Sequence, residues 1–534
     1  MLLSYKKAFI YLFLSILLQP STPKNAIPSE KLSHGMIIDA GSSGSRLHVF
    51  QWKTREFESL PIPISYPEST NTWTKRLKPG ISSFTLNPSD VGQHLDPLLE
   101  FAMDTLKDYK DSWKNYPIYL KATAGMRLLP YDVRTSVMDA IRAYFMSEKC
   151  PFFFAFDHAR IISGEEEGIY AWTAINFLKG NLLLDSYGMG TAMPNNTAGA
   201  LDMGGGSLQI AFYKEDQDVL EHLFKLQIGA HKHWNVYVHS YLEFGEKLAH
   251  YRMQQSLVKK NSKGRKLKKD SFPYIEIKDD CMLEGDSLLF TDDENIVHRF
   301  VSKKKGSSFK KCHEQILPLL KKDMNDWCNK VYNNACSFNG VYQPKVPDDQ
   351  SHEFYAFSGF RRAWSMMDLP SKITLLEFME GTKSLCELSH KEMKERRKKL
   401  GKPVHKEEYS NMCFLATYCI TILIEGFGFS LDSVINFIKD YDGYKVEWAL
   451  GSMLYEINGL PWTYKPKEIT EDISSIDGIV IKDGGDGKIK IQNVMDLADT
   501  NKSYERKKEL VMKHFTQFMI SGVVLAFIAL IIVS

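Results

Sequence analysis

The chain has 534 residues, of which 44% are hydrophobic and 25% are charged, as in an ordinary globular protein. This length leaves room for two to four domains. The formal net charge of +2 excludes a general electrostatic attraction to nucleic acids, and we expect no nucleic-acid partner.

The first residues of the chain have the pattern of a targeting signal. Residues 8–18 form an apolar run that follows Lys6 and Lys7. A run of this length is typical of the core of a signal peptide or of a short signal-anchor. We therefore expect residues 1–34 to be a signal peptide or signal-anchor followed by a polar linker, and whether it is cleaved stays open.

The first third of the body alternates strand-like and helix-like patterns, which favours an α/β fold. The predicted elements are strands at 36–39 and 47–52, a helix at 89–109, a strand at 118–120, a helix at 132–146, a strand at 152–156 and a helix at 169–178.

The rest of the body continues in the same way. Residues 181–198 are predicted to be a loop, residues 198–201 and 210–212 strands, and residues 391–399, 413–429 and 431–439 helices. The basic run Lys259–Lys269 is predicted to be a solvated loop, with a surface for polyanions or lipid headgroups as the alternative.

The chain ends in a second apolar segment. Residues 515–533 contain no charged side chain and are long enough to cross a bilayer core of ~30 Å. We predict a polar stalk at 465–512 and a transmembrane anchor at 513–534, so both ends are candidate membrane contacts. A cleaved lipid-anchor signal is the alternative.

Eight cysteines favour an oxidising, lumenal or extracellular compartment. Because none of them forms a CxxC pair, a structural zinc site is not indicated. Their spacing does not assign the bridges. The sequons at Asn195 and Asn501 are candidate glycosylation sites.

Two hairpins share one pattern: an apolar strand, an aspartate, a run of glycines and hydroxyl residues, and a second strand. Asp39 and Asp202 occupy the matching positions. Glycines expose backbone N–H groups to an anion, and the aspartates suit a hard cation. The loop Thr123-Ala124-Gly125 adds a hydroxyl group, and the cluster Glu165–Glu167 at a helix start offers a base. Together they indicate a site for phosphoryl chemistry.

Each of these patterns also has a simpler interpretation. A glycine-rich hairpin is usually a tight turn, and acids at a helix start suit the helix dipole. Their occurrence in this order, each after an apolar strand, favours two similar lobes that face one phosphate chain. There is no GxxxxGK[ST] loop, so a P-loop enzyme is not supported.

Five segments resemble the conserved regions of the apyrases, the nucleoside triphosphate diphosphohydrolases. They are residues 39–46, 122–127, 162–172, 201–209 and 353–360, within a resemblance that runs from 36 to 455. This resemblance implies a two-lobed α/β fold of the actin/Hsp70/sugar-kinase (ribonuclease H-like) type, with the active site in the cleft between the lobes. Lobe I is expected at 35–163 with 430–464, and lobe II at 164–429.

The resemblance also implies residue roles. Glu167 matches the catalytic base, Ser207 and Gln209 match the groups that hold the attacking water, and Asp39 and Asp202 match the pair that holds Mg²⁺ or Ca²⁺ through water. The phosphate-binding positions are Ser42, Ser43, Gly44, Ser45, Arg46, Thr123, Gly204, Gly205 and Gly206. The implied disulfides join Cys281 to Cys312, Cys328 to Cys336 and Cys386 to Cys413, which leaves Cys150 and Cys419 without a match.

The chain departs from the family pattern at two places. Glu165 stands where the family commonly has Gln or Lys, so its charge either raises the pKa of Glu167 or faces solvent. Arg361 and Arg362 replace a more aromatic sequence in the region implicated in base stacking, and we assign no nucleobase contact.

Gly44 together with Arg46 resembles the intracellular, diphosphate-preferring members, and other segments resemble the Golgi and lysosomal type. We therefore expect a lumenal Golgi nucleoside diphosphatase for UDP or GDP, with triphosphates as further candidate substrates. A lysosomal, endosomal or other secretory-pathway membrane is the alternative location. The alternative functions are an exopolyphosphatase-like or kinase-like enzyme of the same fold and a nucleotide-binding protein without catalysis. The nucleobase, the cation and the oligomeric state stay open.

Overall fold

The computed structural model of the protein describes residues 32–54, 56–57, 64–182, 196–214, 219–228, 232–262, 275–303, 307–347, 352–401, 410–460 and 463–464. All of them belong to one compact unit, residues 1–466.

Several predicted features fall outside the described residues. They are the signal segment, most of the loop 181–198, the sequons at Asn195 and Asn501, the basic run beyond Ser262, the stalk and the C-terminal anchor. Of the helices that the structure does describe, none combines the length and the apolar character needed to cross a bilayer.

The first sheet is built around the hairpin that carries Asp39. Its strands follow the order β4-β2-β1-β5-β6, and β1 pairs antiparallel with β2 and parallel with β5. Helices α1 and α3 pack on it through an apolar core that includes Val91, Leu95 and Ile141. The elements are β1 (Leu32–Gly41), β2 (Gly44–Lys53), β3 (Glu56–Phe57), β4 (Thr74–Leu77), α1 (Val91–Thr105), β5 (Ile118–Ala122), α2 (Ala124–Arg127), α3 (Tyr131–Phe145) and β6 (Ala159–Ile161).

The second sheet is built around the hairpin that carries Asp202. Its strand order is β15-β16-β14-β7-β8-β10-β9, with β7 antiparallel to β8 and parallel to β14. The strands are β7 (Gly199–Met203), β8 (Ser207–Tyr213), β9 (Leu223–Ile228), β10 (Lys232–Leu242), β14 (Phe354–Ser358), β15 (Lys372–Thr374) and β16 (Val434–Phe437).

Helix α4 (Gly164–Leu178) lies between the two sheets and is apolar on most of its surface. It packs against β8, β10 and the helix α12 (Trp448–Gly459). The core around it joins Trp52 and Tyr119 of the first sheet to Trp234 of the second. Because the surrounding elements hold α4 in place, the position of its first turn is fixed as well.

Most of the remaining elements share the apolar core of the second sheet. The remaining elements are α5 (Glu246–Ser262), β11 (Ile275–Asp279), β12 (Ser287–Thr291), β13 (Val297–Ser302), α6 (Phe309–Ile316), α7 (Asn325–Val331), α8 (Gly359–Trp364), α9 (Leu375–Cys386), α10 (His390–Lys399), α11 (Met412–Thr421), β17 (Asp440–Tyr441), β18 (Tyr444–Lys445) and β19 (Thr463–Tyr464). Strand β17 pairs with β18, and β19 pairs with β3. Disulfides join Cys281 to Cys312, Cys328 to Cys336 and Cys386 to Cys413, and Cys150 and Cys419 are free thiols. These are the pairs that the family resemblance implied.

Two predicted elements are wrong. Residues 152–156 form no strand, because Phe153 alone makes a bridge, to Pro117, before the chain turns at Phe156–His158. Residues 431–439 form no helix, because Val434–Phe437 pairs with β14. This strand lies in the segment predicted to complete lobe I, and its pairing places it in the second sheet. The other lobe boundaries stay a prediction.

Candidate active site

The two aspartates occupy matching places at the ends of their hairpins. Asp39 lies opposite Arg46, and Asp202 lies opposite Gln209. Each aspartate strand runs parallel to a neighbour, so both sit at the carboxyl edge of a sheet. Loops and helix starts gather at such edges, which is where ligands of α/β folds bind.

The two edges face one cleft of about 580 Å³. Most of the residues predicted from the sequence line it: Asp39, Ser42, Ser43, Gly44, Arg46, Thr123, Glu167, Asp202, Gly204, Gly205, Gly206 and Ser207. Ser45 is an exception, because it is fully buried in the first sheet, where it pairs with Leu77. Gln209 is a second exception: it is buried, and its side chain donates to Glu167, which lines the cleft.

The glycines allow the loops to touch. A Cβ atom on Gly205 would lie 2.7 Å from Ser42 Oγ, which belongs to the opposite hairpin. A Cβ atom on Gly44 would lie 2.4 Å from the carbonyl oxygen of Leu77. Side chains at these two positions would therefore push the hairpin loops apart or away from β4, and the bare backbone remains exposed to the cleft.

The start of α4 is fixed by a capping box. Ser163 Oγ accepts a hydrogen bond from the Glu166 N–H at 3.0 Å, and the Glu166 carboxylate accepts one from the Ser163 N–H at 2.9 Å. Arg160 holds the same carboxylate with two hydrogen bonds, at 2.6 and 2.9 Å. With Glu166 thus committed to the cap, the next residue, Glu167, is the one that lines the cleft.

Glu167 is buried at the centre of a polar network. Its Oε2 accepts hydrogen bonds from Arg127 Nη2 at 2.8 Å and from Gln209 Nε2 at 3.3 Å. The same two donors reach Ser207 Oγ, at 3.1 Å and 2.7 Å. The carboxylate, the amide and the hydroxyl predicted for catalysis are therefore in mutual contact.

Burial dominates the protonation of the acids in the cleft. It raises the pKa of Asp39 to about 8, an effect that Arg46 opposes and three neighbouring carboxylates reinforce. It raises the pKa of Asp202 to about 7, to which the charge of Glu167 contributes. The pKa of Glu167 is also raised by burial, and Arg127 is the largest charge that opposes the rise. A positive charge in the cleft would stabilise all three as carboxylates.

The acids fit a hydrated divalent cation. Asp202 Oδ1 is buried and has no hydrogen-bond partner among the described residues, although Ser358 bonds the same carboxylate. The described residues contain no cluster of three or more His, Cys, Asp or Glu that could surround a metal ion. A divalent cation held by Asp39 and Asp202 through water would keep much of its hydration shell, as Mg²⁺ does readily.

Four residues of the site were not assigned a role from the sequence. Arg127 and Ser358 lie within the segments 122–127 and 353–360 that resemble the family, and Ser358 has the positive φ of 51° that few side chains adopt. Ser240 accepts a hydrogen bond from Gln209 Nε2 at 3.0 Å, and no sequence pattern marks it. Glu447 bonds Arg46 at 2.5 Å and lies 2.9 Å from His48. It lies in the segment 446–451, which resembles the Golgi and lysosomal type, but the resemblance gave it no role.

The two arginines that depart from the family pattern both line the cleft. Arg362 forms an ion pair of 2.5 Å with the buried carboxylate of Glu246, which fixes its position. Burial lowers the pKa of Arg361, while Glu447 is the largest charge that opposes this. The cleft is therefore basic at the edge where the family is more aromatic.

A model of the GDA1/CD39 (nucleoside phosphatase) family matches residues 25–475. The chain belongs to this family. Its GDA1/CD39 relatives include the Golgi apyrase of Saccharomyces cerevisiae, 28% identical over 462 residues that cover 80% of this chain and 70% of the relative. They also include the nucleoside-diphosphatase mig-23 of Caenorhabditis elegans, 27% identical over 477 residues that cover 85% and 82%. This GDA1/CD39 protein is thus a nucleoside phosphatase, a hydrolase of phosphoanhydrides.

The crystal structure of nucleoside triphosphate hydrolases from Neospora caninum matches this GDA1/CD39 chain with a TM-score of 0.54 at 16% identity. The match covers 86% of this chain and 96% of the other. At this identity the likeness concerns the fold alone. It confirms the two-lobed, actin-like α/β architecture predicted from the sequence.

Proposed function

We propose that the protein hydrolyses nucleoside diphosphates, with UDP and GDP as the main substrates, to the monophosphate and phosphate. The observation that carries this proposal is the contact between Glu167 and Gln209, 3.3 Å. Gln209 lies opposite Asp202 in the glycine hairpin. Its contact with Glu167 therefore places a base beside the backbone N–H groups of the glycine loop, which suit a phosphate. Triphosphates offer the same terminal bond and are a second substrate class.

In the proposed reaction a water attacks the terminal phosphorus while Glu167 accepts its proton. The raised pKa makes Glu167 a stronger base than an exposed glutamate. Gln209 Oε1 is buried without a partner among the described residues and accepts the other hydrogen of the water. Ser207 Oγ accepts from Arg127 and Gln209, and its own hydrogen donates to the Glu167 carboxylate, so Ser207 helps to orient the base.

The departing nucleoside monophosphate carries away negative charge. The backbone N–H groups of the two hairpin loops and the guanidinium of Arg46 stabilise this charge as the bond breaks. Asp39 and Asp202 would hold Mg²⁺ or Ca²⁺ through water, and such a cation supplies further neutralisation of the phosphate oxygens.

We further propose that the enzyme works in the lumen of the Golgi or a neighbouring secretory compartment, where glycosyltransferases release UDP and GDP. The Golgi apyrase relative and the three disulfides support this, since disulfides persist in oxidising compartments. The test is the location of the tagged full-length chain against Golgi, lysosomal and endosomal markers. Exclusive overlap with a lysosomal marker would replace the Golgi assignment.

The decisive experiment measures phosphate release by the full-length protein and by Glu167→Gln. The variant keeps the shape of the side chain but loses the base, so we expect turnover to fall by at least about a hundredfold, at unchanged thermal stability. Glu165→Gln is the matched control, because it removes a carboxylate from the same helical turn. Near-normal UDP hydrolysis by Glu167→Gln would refute the assignment.

A substrate panel tests the rest of the proposal. UDP, GDP, CDP, UTP and polyphosphate are each offered with Mg²⁺, with Ca²⁺ and with chelator. We expect the diphosphates to be cleaved fastest and the chelator to abolish cleavage. Release from polyphosphate with none from UDP would favour an exopolyphosphatase, and nucleotide binding without any cation-dependent release would indicate a non-catalytic protein.

A further inference from the structure

A second cavity, of about 340 Å³, lies beside the cleft and has no part in the proposed reaction. We call it the aromatic pocket. Its apolar lining consists of Phe50, Tyr66, Pro67, Phe177, Leu178, Tyr441, Tyr444 and Leu450. Five of these eight residues are aromatic, and the volume lies in the range of small-molecule sites.

The walls of the aromatic pocket are held together by specific contacts. Tyr66 stacks on Phe177, with ring centres 5.6 Å apart and planes 9° from parallel. Asn71 Nδ2 donates a hydrogen bond of 2.6 Å to the carbonyl of Gly443, which ties the segment 66–74 to the turn of the β17–β18 hairpin. Because both walls are fixed, the space is a formed cavity.

Leaving His48 aside, three of the four charged residues in the lining of the pocket are acidic. Glu68, Asp442 and Glu447 contribute carboxylates. The one lysine of the lining, Lys445, donates to the carbonyl of Asn71 at 3.4 Å. Three acids and five aromatic faces in one small cavity favour a positive charge, since aromatic faces attract cations as well.

Glu447 forms part of the wall between the pocket and the cleft, and it lines both. Its Oε1 bonds Arg46, which lines the cleft, and its Oε2 lies 2.9 Å from His48, which lines the pocket. A cation in the pocket would therefore meet a carboxylate whose other oxygen is paired with Arg46 in the cleft.

We propose that the aromatic pocket binds a small planar aromatic compound that carries a protonated amine. The ring stacks among Tyr66, Phe177 and Tyr444, and the ammonium group faces Glu447. The site is separate from the nucleotide site, so it stands or falls independently of the proposed diphosphatase activity.

The test uses the full-length protein and three ring compounds of similar size: tryptamine (cationic), indole (neutral) and indole-3-acetate (anionic). Saturation-transfer NMR titration gives each affinity, with a protein-free sample as the blank. We expect tryptamine to bind at least about fivefold more tightly than indole, and indole more tightly than indole-3-acetate. Equal binding of the three, or no binding of tryptamine, would overturn the proposal.

Variants locate the binding. Tyr444 is half exposed at the pocket wall, so Tyr444→Ala should fold normally and weaken tryptamine binding at least about tenfold. Trp327→Ala, at an exposed tryptophan elsewhere on the surface, is the control and should change nothing. Glu447→Gln should reduce the preference for tryptamine over indole to about twofold or less. Thermal unfolding and UDP hydrolysis verify that Tyr444→Ala is folded.

Competition separates the pocket from the cleft. A non-hydrolysable UDP analogue at saturating concentration should leave the affinity for tryptamine within about twofold. Displacement of tryptamine by the analogue would place it in the nucleotide site and refute the proposal, as would unchanged binding by Tyr444→Ala.

Discussion

Arg127 forms an ion pair with Glu167, the proposed general base, and its replacement tests the electrostatics of the cleft. One guanidinium nitrogen, Nη2, bonds both Glu167 and Ser207, while Nη1 bonds the carbonyl of Ile162 at 3.0 Å. Arg127→Met keeps much of the side-chain volume and removes all three bonds. It leaves Glu167 buried without its only ion-pair partner among the described residues.

The expected change in the pKa of Glu167 follows from the loss of its hydrogen bond to Arg127. A hydrogen bond to a charged group is worth about 1.5–3 kcal/mol, which equals a pKa change of about one to two. Arg127 lowers the pKa of Glu167, so its loss raises that pKa further. A general base works only when ionised, and activity is lost as the pH falls through its pKa. We therefore expect the acid limb of turnover to move toward alkaline pH by about one to two pH units.

The assay is turnover of UDP at saturating substrate between pH 5 and 9. Arg160→Met is the matched control, because it removes an arginine that pairs with Glu166, the residue next to Glu167. Arg160→Met should lower thermal stability without moving the acid limb of the pH profile. Arg127→Lys keeps a positive charge beside Glu167 and should therefore show a smaller shift than Arg127→Met. An acid limb that stays in place in Arg127→Met, with turnover reduced at every pH alike, would refute the reasoning.

Two further variants test packing and charge around the site. The burial of Glu447 opposes its ionisation, but His48 and Arg46 hold its pKa near 2, against 4.5 for a free glutamate. This carboxylate therefore stabilises the fold above pH 4.5, by at most about 3 kcal/mol, and its contribution is lost as the pH falls toward 2. Urea unfolding between pH 7 and 3 should show a shallower pH dependence for Glu447→Gln, and an identical slope would contradict the assignment. In Gly164→Ala, the new Cβ would lie 2.1 Å from Ser240 Oγ, so the start of α4 must shift. We expect turnover to fall by about tenfold or more, with partial recovery in the double variant with Ser240→Gly, and wild-type turnover in Gly164→Ala would show that the helix start has room to adjust.

Local patterns predicted the hairpins because a strand, an aspartate and a glycine turn are contiguous in sequence. They did not predict the role of Glu447, which bonds Arg46 although the two residues are 401 positions apart in the chain. They also did not predict the role of Ser240, which lies in β10 and accepts a hydrogen bond from Gln209. Such contacts depend on how the two sheets are placed, and a single sequence contains no signal for that.

The two wrong elements have a common cause. A four-residue strand such as Val434–Phe437 is too short to show a period of two, and its flanking apolar residues imitate a helix. The same limit applies to residues 152–156, where aromatic side chains suggest a strand but one bridge forms. The helices at 91–105, 131–145 and 164–178 were predictable because several turns of periodicity accumulate.

The two similar hairpins differ at the residue opposite the aspartate, and this difference divides the proposed roles between them. Opposite Asp39 stands Arg46, a fixed cation that Glu447 orients toward the phosphate cleft. Opposite Asp202 stands Gln209, a neutral amide that reaches Glu167. A second arginine in place of Gln209 would neutralise the base, and an amide in place of Arg46 would leave the phosphate without its counter-charge. We therefore propose that both hairpins bind the phosphates through their loop N–H groups, while the first adds a positive charge through Arg46 and the second orients the water through Gln209.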